Sequence, residues 1–291
     1  MEYALYKKHS TVRAYWELTK PRLWIMLTYT AAIGFLASLK VQPAPWVDGL
    51  IAVTAVGMAT AGANVLTCYL DRDIDSIMER TKHRPLPTGR VRPTLNALYF
   101  GLTLVSVSLL ILLALAKYIA ALIGVFGLVD NVLVYSAWLK RRTSLNIILG
   151  GFSGGAPVLA GWAVNASILT PVPFLMAAVV VLWIPSHIWS LAFKYRTDYS
   201  KAGIPMLTSV VSPKNAIRCV ASTSILMFVF SLLLWWIGPF SFAYFVVALA
   251  SGTMLIALTI WMITKPYGRA PFTLFKYTSP YLAILLFMMA I

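Results

Sequence analysis

Residues 64–75 are NVLTCYLDRDID, in which a long apolar run ends in three aspartates. On a helix of about 100° per residue, Asn64, Asp71 and Asp75 share one face, whereas Asp73 points nearly opposite. A carboxylate in or near hydrocarbon is costly unless a cation pairs with it. Since the chain has only nine acidic residues, the stretch predicts a cation-binding face at the end of a membrane-spanning helix.

The composition is that of a membrane protein. Hydrophobic residues make up 60% of the chain and charged residues 11%, and the mean hydropathy is +0.80, which excludes an ordinary soluble domain. Nine apolar runs are long enough to span a bilayer, and they lie at 23–39, 49–70, 95–115, 119–138, 146–165, 172–193, 217–236, 241–263 and 272–291. We therefore expect residues 1–291 to form one all-α polytopic membrane domain.

The basic residues predict how this domain is oriented. If alternate loops lie on one side, 22 of the 24 Lys and Arg residues fall there, and only Lys40 and Lys117 lie opposite. The positive-inside rule then places the N-terminus in the cytoplasm and the C-terminus outside the cell membrane. The same asymmetry supports the count of nine spans. The basic loops on that side also account for the net charge of +15, because they orient the protein and attract anionic lipid. The charge is therefore no indication of nucleic-acid binding.

The aspartates suit a hard divalent cation. Two carboxylates four residues apart, with the Asn64 amide two turns earlier, can hold Mg²⁺, which accepts a partial oxygen shell completed by water and phosphate. Four basic side chains follow directly and can donate to phosphate oxygens: Arg80, Lys82, Arg84 and Arg90. The alternative is an acidic helix end paired with those arginines at headgroup level. The scarcity of acidic residues elsewhere favours a metal–diphosphate site.

A second polar stretch ends the sixth predicted span. Trp183, His187, Lys194 and Asp198 return to nearly the same helix face, from membrane depth to the cytoplasmic mouth. Because both polar stretches follow even-numbered spans, we expect them to meet across a cavity open to the cytoplasm. His187 alternatively bonds a neighbouring helix. Asp130, inside the fourth span, predicts an interhelical partner.

Three further segments have plainer interpretations. Tyr135, before the basic triplet 140–142, either contacts substrate or belongs to an aromatic belt beside a topology signal. Lys20 and Arg22 open the first span and suit an orientation signal. The small residues of 150–157 predict close helix packing rather than a phosphate loop, because free backbone donors inside an apolar span are costly.

Four strings of this sequence resemble the UbiA superfamily of intramembrane prenyltransferases, and within it the branch that prenylates haem. They are DRDID (71–75), MERTKHRPLPTGR (78–90), YSAWLKRRT (135–143) and DYSKAGIPM (198–206). The resemblance implies nine helices around a central cavity, Mg²⁺, farnesyl diphosphate as donor and haem B as acceptor. One departure is Thr67, where many relatives carry an asparagine, and it bears on metal or diphosphate affinity.

The resemblance also implies roles for particular residues. The metal ligands would be Asp71, Asp75, Asn64 and Asp198. The diphosphate leaving group would be stabilised by Arg80, Arg84, Lys140 and Lys194. The substrates would contact Asn64, Tyr135, Trp183, His187 and Tyr199, with His187 touching the haem or ligating its iron.

Two other functions stay open on the sequence alone. One is prenyl transfer by the same superfamily to an aromatic or lipid acceptor. The other is secondary transport, which predicts charged residues near the bilayer midplane and inverted repeats. Most charges here collect at helix ends instead, which favours an enzyme.

Overall fold

The computed structural model describes residues 11–166, 170–265 and 268–291, and within these ranges every regular element is a helix. Lys7 and Lys8, counted above among the basic residues, lie outside the described residues. The helices are, in chain order, α1 (Thr11–Leu18), α2 (Pro21–Leu39), α3 (Trp46–Leu70), α4 (Arg72–Ile77), α5 (Leu95–Ala114), α6 (Tyr118–Leu128, continued by a π-helical segment, Val129–Leu139), α7 (Asn146–Leu149), α8 (Phe152–Ala163), α9 (Pro171–Lys194), α10 (Arg196–Lys201), α11 (Leu207–Val210), α12 (Pro213–Ile237), α13 (Phe242–Thr264) and α14 (Ala270–Ala290).

Eight helices in the described ranges are long and apolar enough to cross a membrane. They are α2, α3, α5, α6 with its π-helical continuation, α9, α12, α13 and α14. Each corresponds to one of the apolar runs identified in the sequence. The prediction of an all-α, multi-pass membrane protein is therefore confirmed.

The fifth predicted span differs from expectation, because a continuous helix over 146–165 is wrong. Gly150 and Gly151 separate α7 from α8, and two glycines in succession weaken a helix. The Asp130 carboxylate accepts a hydrogen bond of 2.8 Å from the backbone N–H of Ser153. It thereby occupies one of the donors that the first turn of α8 leaves free. The predicted interhelical partner of Asp130 is confirmed, and the ninth membrane crossing stays a prediction.

The long helices pack as two groups, which are joined by α2 and by the contact of α8 with α9. One group contains α3, α5, α6 and α8, the other contains α9, α12, α13 and α14, and α2 contacts α3, α8 and α14. Small residues allow the closest approaches. A Cβ at Gly161 would overlap the backbone carbonyl of Ala31, and one at Gly155 would meet the Ala177 carbonyl oxygen at 3.1 Å. The prediction of close packing by the small residues of 150–157 is thus confirmed.

The loops that carry most of the basic residues meet at one end of the bundle. Glu17, at the end of α1, pairs with Arg90 at 2.6 Å. Asp73 pairs with Arg141 at 2.7 Å, and Asp198 accepts a hydrogen bond from the loop after α4. These contacts place the chain before α2, the loop after α4, the turn after the π-helical segment and α10 together, as the alternation of loops predicts.

Candidate active site

Two buried carboxylates lie where α3 gives way to α4. Asp71 and Asp75 are each 3% exposed. An oxygen of Asp71 accepts a hydrogen bond of 2.6 Å from Lys140 Nζ, and both oxygens of Asp75 lie 2.7–2.9 Å from Arg84 Nη1. Burial acts to lower the pKa of Arg84, but attraction to Asp75, Cys68 and Asp71 together outweighs it and raises that pKa. Each carboxylate thus has its own cation.

Asp73, between these two, has a different environment. Its side chain is 60% exposed, and the Arg141 guanidinium holds both of its oxygens at 2.7 and 2.8 Å. Those hydrogen bonds lower the pKa of Asp73. The predicted division of the three aspartates, two on one face and one opposite, is confirmed. Asp73 therefore offers a matched control for its neighbours.

The carboxylates fit a hard divalent cation. Oδ1 of Asp71 is buried and accepts no hydrogen bond from the described part of the chain, which is costly for a charged group. Asn64 donates its amide nitrogen to the Thr19 carbonyl at 3.0 Å, so a metal would bind its amide oxygen. Across the described ranges, no three His, Cys, Asp or Glu side chains converge on one point. Water and phosphate would have to complete the shell, as Mg²⁺ allows.

Asp198 brings the second polar stretch to the first. It is buried at the start of α10, and its two oxygens accept hydrogen bonds from the backbone N–H groups of Glu79 at 2.9 Å and Arg80 at 3.3 Å. The two stretches therefore meet by direct hydrogen bonds, and the cytoplasmic side of this contact stays a prediction. Because these amides already occupy the carboxylate, binding of a metal by Asp198 would have to compete with them.

The π-helical segment places Tyr135 beside Lys140. Residues five apart on an α-helix differ by about 140° in direction, whereas bonding from i to i−5 returns them to one face. The backbone N–H of Lys140 donates to the Tyr135 carbonyl at 2.8 Å, and Lys140 Nζ lies 5.8 Å from the Tyr135 ring centre. A Cβ at Gly150 would meet the Tyr135 side chain at 2.5 Å, so the break after α7 accommodates this ring.

His187 is fixed between two aromatic rings on α9 and α14. Its ring centre lies 4.5 Å from that of Trp183 and 4.3 Å from that of Phe275. Nδ1 lies 2.8 Å from the Thr278 hydroxyl, which donates its own proton to the Phe275 carbonyl. In the tautomer in which Nδ1 donates to this hydroxyl, Nε2 carries the lone pair. The predicted bond to a neighbouring helix is present.

The other predicted residues form no hydrogen bond to Asp71 or Asp75 within the described ranges. Lys194 is exposed, with Nζ 4.1 Å from the ring centre of Phe272, and Arg80 is exposed near Tyr195. Tyr199 is buried in the hydrophobic core. Of the four basic side chains after the aspartates, the structure places Arg84 on a site carboxylate, while Lys82 pairs with Glu79 and Arg90 with Glu17.

Lys20 belongs to the site, although the sequence suggested only an orientation signal. It is mostly buried, has a left-handed backbone with φ of 53°, and donates a hydrogen bond of 2.8 Å from Nζ to the Thr67 hydroxyl. Burial lowers its pKa. The one available signal was Pro21, which disfavours helical backbone in the preceding residue.

An apolar cavity lies deeper in the bundle. It lies between α2, α3, α5, α6 and α8, which supply its lining residues. Its wall includes Ala63, the neighbour of Asn64, together with Leu112, Leu128 and Pro157. The cavity lies within the first helix group and is suited to an apolar ligand.

Comparison with known proteins relates this arrangement to a family. The profile of the UbiA prenyltransferase family matches residues 26–288. The chain is 41% identical over 277 residues to a protoheme IX farnesyltransferase of Thermoplasma volcanium, covering 95% of this chain and 96% of that protein. It is 42% identical over 281 residues to that of Desulforudis audaxviator, covering 97% and 88%.

Solved structures share the fold at low identity. A digeranylgeranylglyceryl phosphate synthase structure has a TM-score of 0.79 at 19% identity, covering 96% of this chain and 97% of that one. A UbiA homolog from Archaeoglobus fulgidus bound to GPP and Mg²⁺ has a TM-score of 0.64 at 15% identity, covering 95% and 99%.

Proposed function

Because the chain belongs to the UbiA prenyltransferase family, we propose that it transfers a farnesyl group from farnesyl diphosphate to the vinyl group of haem B, giving haem O. The observation that carries the reaction class is the pair of buried carboxylates, each matched by a cation. The acceptor is supported by relatives named protoheme IX farnesyltransferase, which align with nearly the whole chain.

The donor's diphosphate binds where the two carboxylate–cation pairs lie. Asp71, Asp75 and Asn64, with Asp198 as a further ligand, would hold Mg²⁺, which would supply positive charge against the diphosphate leaving group. Lys140 and Arg84 then turn from the carboxylates and donate charge-assisted hydrogen bonds to phosphate oxygens. The farnesyl chain extends into apolar surroundings, and the recess beside Ala63 is the apolar lining that we assign to it.

Departure of the diphosphate leaves an allylic cation, which aromatic faces stabilise without attacking it. Tyr135 stands next to Lys140 and is placed to serve in this way. The haem vinyl group attacks the cation and forms the new carbon–carbon bond. Water then adds to the resulting carbocation and releases a proton to solvent. This sequence needs no protein nucleophile, in agreement with a site of carboxylates and cations.

His187 is the residue we assign to the haem. Its Nδ1 is committed to Thr278 and both ring faces are covered, so Nε2 is the atom that can meet the iron. Imidazole nitrogen is a common axial ligand of haem.

The membrane topology completes the proposal. We infer that α7 and α8 together make the ninth crossing, and that residues 1–291 form a single domain in the bilayer of the cell membrane. The positive-inside rule places the N-terminus and the mouth of the site in the cytoplasm and the C-terminus outside.

The proposed function is tested by expressing the chain in a bacterium that lacks its own haem O synthase. Extracted haems are separated by reverse-phase chromatography with mass detection. Wild type is expected to give haem O, and Asp71→Asn and Asp75→Asn to lower the yield at least about 100-fold, because each removes a buried charge that the metal requires.

Asp73→Asn is the matched control and should keep nearly full yield, since Asp73 is exposed and faces away. A fully active, folded Asp71→Asn variant would refute the metal site. Haem B alone, extracted from cells with folded wild-type protein, would instead favour an aromatic or lipid acceptor.

A further inference from the structure

Lys20 is a mostly buried cation that forms no ion pair with any of the described residues. Its only hydrogen-bond partner among the described residues is the neutral Thr67 hydroxyl, although an ammonium group has three donors. A buried charge is costly unless it is paired. The left-handed backbone of Lys20 adds strain that the surrounding structure must hold in place.

The neighbours of Lys20 are the residues of the candidate site. Its ammonium group lies within electrostatic range of Cys68, Arg84, Asp71 and Lys140. Both site carboxylates already have a cation of their own, Asp71 in Lys140 and Asp75 in Arg84. Lys20 is therefore the excess positive charge of this cluster, and an excess buried cation marks a place for an anion.

Thr67 holds Lys20 in this position. Its hydroxyl accepts from Lys20 Nζ at 2.8 Å and donates to the Asn64 carbonyl at 2.9 Å. An oxygen that faces an ammonium group is a poor metal ligand, because metal and ammonium repel each other. Thr67 therefore positions a cation, Lys20, at the site and does not serve as a metal ligand.

The N-terminal segment is fixed to α3 by more than this one bond. The Thr19 carbonyl accepts from the Asn64 amide at 3.0 Å, and the Leu18 carbonyl from the Cys68 thiol at 3.6 Å. These contacts keep residues 18–20 against the helix that carries the site. Lys20 can thus meet a ligand without a change in the backbone.

We propose that Lys20, positioned by Thr67, donates directly to the diphosphate of the prenyl donor. The inference rests on the proposed function and adds a substrate-binding residue to it. A prenyl diphosphate that has bound one divalent cation keeps a net negative charge, which Lys20 neutralises. The Lys20 contact is independent of metal, so it persists when the metal is removed.

The test is binding of farnesyl thiodiphosphate, an unreactive analogue, to purified full-length protein in detergent. Calorimetry is run once with excess Mg²⁺ and once with EDTA. We expect Lys20→Met to weaken binding about 10- to 100-fold under both conditions, the range for a lost charge-assisted hydrogen bond. Lys20→Arg should bind within about fivefold of wild type, because it keeps the charge.

Arg22→Met is the matched control, since Arg22 is two residues away but exposed, and its affinity should not change. Thr67→Val tests positioning, and we expect a smaller loss that Thr67→Ser restores. Melting temperatures identify any variant that does not fold. If Lys20→Met does not fold, the affinities of Lys20→Arg and Thr67→Val for the analogue are compared instead. An affinity of Thr67→Val equal to that of Lys20→Arg would then overturn the inference.

Equal affinity of folded Lys20→Met and wild type would overturn the inference while leaving the proposed function intact. No binding of the analogue to wild type under either condition would overturn the proposed function itself.

Discussion

His187 contacts the Thr278 hydroxyl through Nδ1, and Nε2 is the nitrogen that we assign to the haem iron. Titration with haem B, without the prenyl donor, tests this assignment. Titration of the purified protein with haem B should shift the Soret band to that of an imidazole-ligated haem. His187→Ala should abolish this shift, because Nε2 is the proposed ligand. Trp183→Phe should retain it, since a ring remains to stack on the imidazole. If folded His187→Ala shows the same Soret band as wild type after the titration, ligation of the iron by His187 is excluded.

Some residues of the site could be predicted from the sequence, and others could not. Helical geometry alone separated Asp71 and Asp75 from Asp73, because the burial of a regular helix repeats with its period. The place of Lys20 in the site could not be predicted, because it depends on a left-handed backbone and on Thr67, which lies 47 residues away. The surface positions of Lys194 and Arg80 depend on where α9 and α4 end, and residue spacing does not determine that.

The contact between α2 and α8 depends on the absence of a single methyl group. A Cβ at Gly161 would overlap the Ala31 carbonyl, so Gly161→Ala should destabilise the protein by about 1–3 kcal/mol. A Cβ at Gly124 in α6 would instead have no neighbouring atom within 4 Å. Gly124→Ala should therefore be neutral or stabilising by about 0.5–1 kcal/mol. Thermal unfolding in detergent measures both variants, and equal stability of the two would contradict the packing described.

Among the helices, the long ones were predictable and the irregular ones were not. Eight apolar runs became continuous helices, because length and composition suffice to predict a membrane-spanning segment. The break at Gly150 and Gly151 depends on Asp130, which caps α8 from another helix. The π-helical segment, which aligns Tyr135 with Lys140, has no pattern in the sequence that distinguishes it from α-helix.

At the scale of the whole molecule, orientation in the membrane is the property to measure. In a background with both native cysteines replaced, Ser200→Cys and Val41→Cys introduce thiols at exposed positions. The positive-inside rule predicts that an impermeant maleimide labels Val41→Cys in intact spheroplasts and Ser200→Cys only in inverted vesicles. The opposite labelling pattern would place the site outside the cell. Labelling of both variants from one side would contradict the loop assignment.

Asp198 joins parts of the chain that lie far apart in sequence. Its carboxylate accepts hydrogen bonds from the backbone of Glu79 and Arg80, which are 119 and 118 positions away. The loop that follows the two site aspartates is therefore anchored by α10 and not by its own neighbours in sequence. Replacing this one carboxylate would release that loop at the point where it leaves α4.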